Sequence, residues 1–288
     1  MNDENLHINN STEKSENFFS KGKIVWEKSE TEVWSEISSK LGPVQQTKRK
    51  TISISLVLKF AAAAIVFLVL GLGSVFFFYS KTIVSQPGEH LTAELPDGST
   101  VELNAASELK YYPLIWMFQR KVLLAGEGYF SVQKGKKFEV QSENGSTQVL
   151  GTTFNIYSRN NNYRVTCLTG KVKVIGAANQ SVILEPDSQA EIENGEFVIS
   201  KNFKTERAIS WKNNQFYFTG TPLKEVIDEI ERQYAVTINI QPELDNRNFA
   251  GNFPKKYNVE EVLDFVCKTM QIKFIKQTEN VFLVVEKS

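Results

Sequence analysis

Between Phe60 and Tyr79 the chain reads FAAAAIVFLVLGLGSVFFFY, without one charged side chain. An α-helix rises 1.5 Å per residue, so this run covers roughly 30 Å, the thickness of a bilayer's hydrocarbon core. Apolar character begins earlier, at Ile52 to Leu58, but Lys59 interrupts it. A lysine there snorkels to the near headgroups, so the core of the span lies after it, in a helix predicted over 54–79. Lys48, Arg49 and Lys50 crowd the N-terminal flank with Lys59, whereas Lys81 stands alone until Lys110. The positive-inside rule then places the N-terminus in the cytoplasm and the rest of the chain outside. A cleaved signal peptide would need a leading region about fifty residues long and a small-residue site after Tyr79, neither of which fits. The expectation is a single-pass anchor.

The remainder of the 288 residues has room for about two ordinary domains. Basic and acidic residues both number 33, so no global charge draws the chain to nucleic acid. Residues 1–17 are polar and read as a disordered lead within a cytoplasmic tail over 1–50. Ser29 and Glu32 have capping-box spacing, which predicts an amphipathic helix over 30–41 ending at Gly42-Pro43. Val33, Trp34, Ile37 and Leu41 share one face of it, and Phe18, Phe19, Ile24 and Trp26 form an apolar element just before. A tail this short cannot bury two tryptophans in a core of its own. Its outer face is not basic enough for anionic lipid, so a protein partner is the sharper reading, contacted by Trp26, Val33, Trp34, Ile37 and Leu41.

Past the span, residues 82–205 show short alternating runs with turn signals every eight to twelve residues, the mark of an all-β domain, either a sandwich or a solenoid-like stack. Pro96-Asp97-Gly98 joins the runs at 90–95 and 99–104. Lys121–Leu124 and Tyr129–Gln133 read as two separate runs. Residues 211–288 read as an α+β module. Phe216–Thr219 is a predicted strand, with Thr221 as cap and Pro222 as first residue of the helix that follows. An internal repeat is visible, because LKEVIDEIERQYAVTINI from Leu223 matches VEEVLDFVCKTMQIKFIK from Val259 at a constant offset. Glu225 and Glu261, Val226 and Val262, and Asp228 and Asp264 are identical pairs, which implies two βαβ-like halves. The fold class is thus a membrane-anchored, multi-domain chain: helical tail, one transmembrane helix, all-β domain, C-terminal α+β module.

Catalytic chemistry finds little support, and neither cofactor nor metal is expected. The histidines are His7 and His90, and no triad assembles without making His90 its lone centre. A histidine opening a strand reads as a surface or edge residue. Cys167 and Cys267 make no metal signature, sit at apolar-periodic positions, and read as buried free thiols rather than a disulfide. Gly126 and Gly128 in AGEGYF are a weak phosphate-loop signal, since no helix follows.

The segments LPDGSTVELNAASELKYY (95–112), RKVLLAGEGYFSVQ (120–133), FEVQSENGSTQVLGTTFNIYS (138–158) and LTGKVKV (168–174) occur in an order that resembles the periplasmic domain of FecR-type anti-sigma factors. The part beginning WKNNQFYFTGTPLKEVIDEIERQY is similar to the domain that ends such proteins in Bacteroidetes, itself related to the short module of secretins and TonB-dependent receptors. The resemblance implies an inner-membrane signal transducer with the C-terminal region in the periplasm. Its partners would be an extracytoplasmic-function (ECF-type) sigma factor inside and the N-terminal signalling domain of a TonB-dependent outer-membrane transporter outside. An intramembrane protease acting near the span would be a third. The alternative is a membrane-anchored periplasmic binding or scaffold protein with no sigma partner.

Overall fold

The computed structural model describes residues 27–43, 54–176, 180–193 and 195–287. The polar lead, Trp26 and the topology-setting Lys48, Arg49 and Lys50 lie outside the described residues. Helix α1 (Glu30–Lys40) opens on the predicted capping box: the Ser29 side chain accepts from the Glu32 amide, and Glu32 accepts back from the Ser29 amide. Leu41 is its C-cap. Helix α2 (Ile54–Phe78) is the apolar run, and its segment from Val57 to Phe78 is long and apolar enough to cross a membrane.

Thirteen strands follow. They are β1 (Lys81–Ser85), β2 (Leu91–Glu94), β3 (Thr100–Leu103), β4 (Ser107–Tyr111), β5 (Arg120–Ser131), β6 (Phe138–Ser142) and β7 (Gly145–Val149). Then come β8 (Thr153–Arg159), β9 (Asn162–Thr169), β10 (Val172–Ile175), β11 (Ser181–Leu184), β12 (Ser188–Glu193) and β13 (Glu196–Lys201). The fold turns on β5. The two runs expected at 121–124 and 129–133 are one strand of 12 residues serving two neighbourhoods. Its first half pairs with β4 and β6, its second with β3 and β8. One wing therefore continues through β6, β7, β10 and β11, and the other through β8, β9, β12 and β13. The result is one sheet rolled nearly closed about a single core, in place of the expected sandwich or solenoid-like stack. Strands β1 and β4, absent from the sequence reading, complete the first wing.

The bend sits at Gly126, which has φ +104 and lies against Ser107, where a Cβ would come within 2.8 Å of the Ser107 Cα. Only glycine adopts that backbone and tolerates that approach together. Gly126 of AGEGYF thus turns a strand, and no helix follows it to cradle phosphate. Inside the roll, Val122, Leu124, Phe130, Phe154, Ile156 and Val165 are buried at alternate positions, and the Phe130 and Phe154 rings stack at 5.1 Å. Each such side chain contributes about 1.5–3 kcal/mol relative to exposure.

A single turn, α3 (Thr205–Ala208), and a 3₁₀ turn (Ser210–Asn213) lead into the C-terminal module. It contains β14 (Gln215–Pro222), α4 (Leu223–Tyr234), β15 (Thr237–Ile240), β16 (Asn248–Pro254), α5 (Val259–Met270), β17 (Ile272–Thr278) and β18 (Val281–Glu286). The sequence repeat is structural. Helices α4 and α5 each run 12 residues and end on a left-handed residue, Ala235 and Gln271. Their leading strands β14 and β16 pair with each other, and their trailing strands β15 and β17 flank β18. Matched residues Val226 and Val262, and Ile230 and Val266, fill one core. The starts of the two helices differ. Asn258 and Glu261 form a capping box on α5. The expected Thr221 cap on α4 does not form, because that hydroxyl accepts from the Thr219 amide. Pro222 stands at the N-cap, one residue before its expected place, and the Leu223 and Lys224 amides donate to carbonyls of Arg247 and Asp245. The loop before β16 does the work of a side-chain cap.

Candidate functional site

Strand alternation sends Phe154 and Ile156 of β8 into the roll and leaves Asn155, Tyr157 and Arg159 facing outward. Outward residues of a single-walled sheet meet water, yet Asn155 and Tyr157 are buried. Helix α4 covers them. Its apolar stripe, Leu223, Val226, Ile227 and Ile230, packs in its own module. A second stripe, Glu225, Glu229 and Gln233, turns to the β roll with the i, i+4 spacing that puts side chains on one helix face.

The seam so formed is polar and dense. Glu127, set on the bend of β5, accepts from Asn104 Nδ2 at 2.8 Å and Asn155 Nδ2 at 2.9 Å. Gln233 Nε2 donates to Asn104 Oδ1 at 2.6 Å and to Glu229 Oε1 at 2.9 Å. Glu229 also accepts from Arg232 at 2.8 Å. Arg159 donates to the carbonyls of Ala105 and Ala106 at 2.7 and 2.8 Å, its charge lying between the two acids' fields. Farther along, Arg164 lies 4.1 Å from the Tyr157 ring centroid and pairs with Glu225. Lys212 bonds Glu102 at 2.9 Å while sitting over the Tyr129 ring. Beside these contacts lies a cavity of about 350 Å³, lined in part by Asn155, Arg164, Trp211 and Lys255.

The electrostatics differ between the two acids. Burial, with repulsion from Glu229, holds the Glu127 carboxyl above the ordinary carboxylate range against the pull of Arg159. Burial acts the same way on Glu229, but Arg232 and Arg159 outweigh it and hold that group below the range. One carboxylate is thus kept charged and the other pushed toward neutrality, so two acids share one buried seam without full repulsion.

His90 belongs to this seam, which corrects the surface reading. Gln233 uses its amide nitrogen on Asn104 and Glu229, so its oxygen accepts from His90 Nε2, at 3.1 Å. The ring meets Trp211 edge-on at 5.3 Å. Burial first, then Lys255, lowers the His90 pKa below 6.5, against opposing pulls from Gln233, Glu229 and Asn104. A proton therefore binds the unfolded chain more readily. The stabilisation is present above pH 6.5 and fades as pH falls through the folded value. Protection from exchange of the Gly88 amide, which donates to the Arg232 carbonyl across the seam, is expected to drop between pH 7 and 5. His90→Gln should flatten that dependence. An unchanged slope would remove His90 from the account.

The two cysteines lie in different cores, so no bridge joins them. Burial pushes the Cys167 thiol up to about 11 and the Cys267 thiol up to about 12, which leaves both unreactive at neutral pH. Of the residues expected to contact a partner, Trp34 is 64% exposed and Leu41 66%, with Ile37 exposed and Val33 half-buried. Glu27, Lys28 and the other described neighbours of α1 leave that face uncovered. Sequence reasoning missed the seam entirely. The available signal was the polar stripe of α4, at helical spacing from Glu225 to Gln233.

A family model described as FecR protein matches residues 81–173, and one described as FecR, C-terminal, matches residues 215–284. Together they span the β roll as far as β10 and nearly all of the C-terminal module. Comparison with curated proteins gave no match. Among solved structures, two crystal structures of a candidate anti-sigma factor from Parabacteroides distasonis are similar. Each has 27% sequence identity and a TM-score of 0.67, and matches over 100% of its own length and 73% or 72% of this chain. With both models matching in order on the two modules described above, the chain belongs to the FecR family.

Proposed function

We propose that this protein is an inner-membrane anti-sigma factor that links a TonB-dependent outer-membrane transporter to an ECF-type sigma factor. The carrying observation is the apolar face of α1, which no described residue covers, with Trp34, Ile37 and Leu41 exposed on a helix tethered to the membrane chain. Large apolar side chains clustered on a short helix mark a binding face. Lys48, Arg49 and Lys50 put that helix in the cytoplasm, with Trp26 adding to the contact. On the periplasmic side, β17 is an edge of its sheet, a template for strand pairing with the transporter's signalling domain. Membership of the family and the similar Parabacteroides protein support the same reading. An intramembrane protease acting on α2 would release the tail.

The test is co-purification of the tagged full-length chain from membranes with its sigma factor, identified by mass spectrometry. Trp34→Ala should weaken the complex roughly 30-fold, the effect of losing about 2 kcal/mol at an aromatic hot spot. If no sigma factor accompanies the wild-type chain, the reading fails at its first link. The second reading, a periplasmic binding or scaffold protein, is favoured by the cavity beside Trp211 and predicts that Trp34→Ala changes nothing.

A further inference from the structure

Strand β1 begins at Lys81, three residues after α2 ends at Phe78. Three residues reach at most about 10 Å, so the start of β1 lies at the membrane surface if α2 spans the bilayer. The register pairs Lys81 with Tyr111, antiparallel. Strand β4 therefore runs back toward the membrane, one strand spacing of about 4.8 Å from β1, and its exit at Tyr111 is level with the entry at Lys81. Residues 112–119, between β4 and β5, therefore cap the end of the sheet at which β1 begins, the end that faces the membrane when β1 leaves the bilayer along its normal.

This connection is an ordered turn. It opens with a 3₁₀ turn at Pro113–Ile115, and the Phe118 and Gln119 amides both donate to the Ile115 carbonyl at 2.9 Å. Trp116 is buried and pins the turn to the roll, its ring 5.7 Å from Tyr111 and 5.9 Å from Phe138. With Trp116 turned in, Leu114, Met117 and Phe118 turn out at the i, i+3, i+4 spacing of one helical face. Met117 is 83% exposed and Phe118 82%. A single exposed apolar residue is ordinary, but three on one pinned face at a sheet end are not.

The charges beside the turn suit the same surface. Arg120 Nη1 donates to the Lys136 carbonyl, and the Gly135 amide donates to the Leu150 carbonyl, so the 134–137 segment flanks the turn. Lys81, Lys134, Lys136 and Lys137 are exposed there. The nearby acids are Glu139, bonded to Lys137, and Asp97, bonded to Arg120. An apolar tip ringed by lysines fits a bilayer interface carrying anionic headgroups.

We propose that the turn bearing Leu114, Met117 and Phe118 is a membrane foot: it inserts into the headgroup layer of the bilayer that α2 crosses, with Lys134 and Lys136 against lipid phosphates. The foot rests on the reading of α2 as a span and is independent of which side is cytoplasmic. It gives the β roll a second attachment beside α2, which fixes the roll's tilt on the membrane.

The full-length chain in nanodiscs of phosphatidylcholine and phosphatidylglycerol provides the test. Nitroxide labels are placed at Phe118→Cys, Met117→Cys, Val69→Cys within α2, and Glu143→Cys at the β6–β7 turn. The unsubstituted chain, whose two cysteines are buried, gives the labelling background. Collision with oxygen, which partitions into lipid, is compared with collision by a water-soluble nickel chelate. Labels at 117 and 118 should share the oxygen preference of 69 and lose most of the nickel collisions seen at 143. Water-like values at 117 and 118 beside a lipid-like 69 overturn the foot and keep the span. Shielding from both reagents overturns it too, since a protein then covers the turn. A water-like 69 overturns span and foot together.

Discussion

Gly126→Ala is expected to destabilise the β roll by about 3–4 kcal/mol, against about 1 kcal/mol for Gly98→Ala. Both glycines have positive φ, +104 and +77, so both substitutions incur the strain of a side chain in a left-handed or mirror-β conformation. Their surroundings separate them. A Cβ on Gly98 meets nothing nearer than Gln133 Cγ at 3.9 Å, whereas on Gly126 it falls 2.5 Å from Ser107 Oγ and 2.8 Å from Ser107 Cα. Ser107 cannot retreat cheaply. Its hydroxyl accepts from the Glu127 amide at 3.0 Å and from Arg159 at 3.1 Å, and its backbone is paired in β4 opposite Ser85. Any shift at Ser107 therefore pulls on both wings and on the seam. Urea unfolding of the full-length chain in detergent, followed by fluorescence, measures both variants. Equal costs would show that the close approach at the bend adds nothing to backbone strain.

Glu229→Ala is expected to cost about 3 kcal/mol, the low end for removing one partner of a buried ion pair, because Arg232 retains 16% of its side-chain exposure. The loss is asymmetric. Removing Glu229 leaves Arg232 without its carboxylate and takes an acceptor from Gln233 and Asn104. Burial still raises the Glu127 pKa, but the repulsion from Glu229 that adds to it disappears, so Glu127 should move part of the way back toward the ordinary carboxylate range. The effect is local to the seam. Hydrogen exchange should accelerate at the Gly88 amide and along α4 more than at β6 and β7, which form no hydrogen bond or ion pair with Glu229. The control is Lys268→Ala, whose partner Asp264 lies on an exposed helix face, expected to cost under about 0.5 kcal/mol. If Glu229→Ala costs no more than the control, the seam does not hold the modules together.

Much of the architecture was legible because it rests on local patterns. The span follows from length and the absence of charge between Phe60 and Tyr79. The cap at Ser29 follows from short-range hydrogen bonds that need only four consecutive residues. The tandem halves followed from self-similarity, and β14–α4–β15 and β16–α5–β17 bear it out. The misses were non-local. Nothing within residues 120–131 tells a reader that one strand serves two wings, because the reason is Ser107 pressing on Gly126 from another strand. Thr221 is a good cap by composition, but carbonyls from residues 245 and 247 reach the helix start first. His90 reads as an edge residue until Trp211 and Gln233 are brought to it from more than a hundred residues away.

Patterns within single segments are enough to read off one apolar helix of membrane length, a β region and a duplicated α+β module, since none of these needs a contact between distant residues. What the polar faces do depends on which elements pack against them. Alternation says that Glu127, Asn155 and Arg159 leave the roll's core, and pairing alone would send them to water. The packing of α4 against that face turns them into a buried seam. The same holds at the other end of the roll, where Leu114, Met117 and Phe118 are a short apolar cluster in the sequence. The antiparallel register of β1 and β4 is what carries them back to the level at which α2 ends.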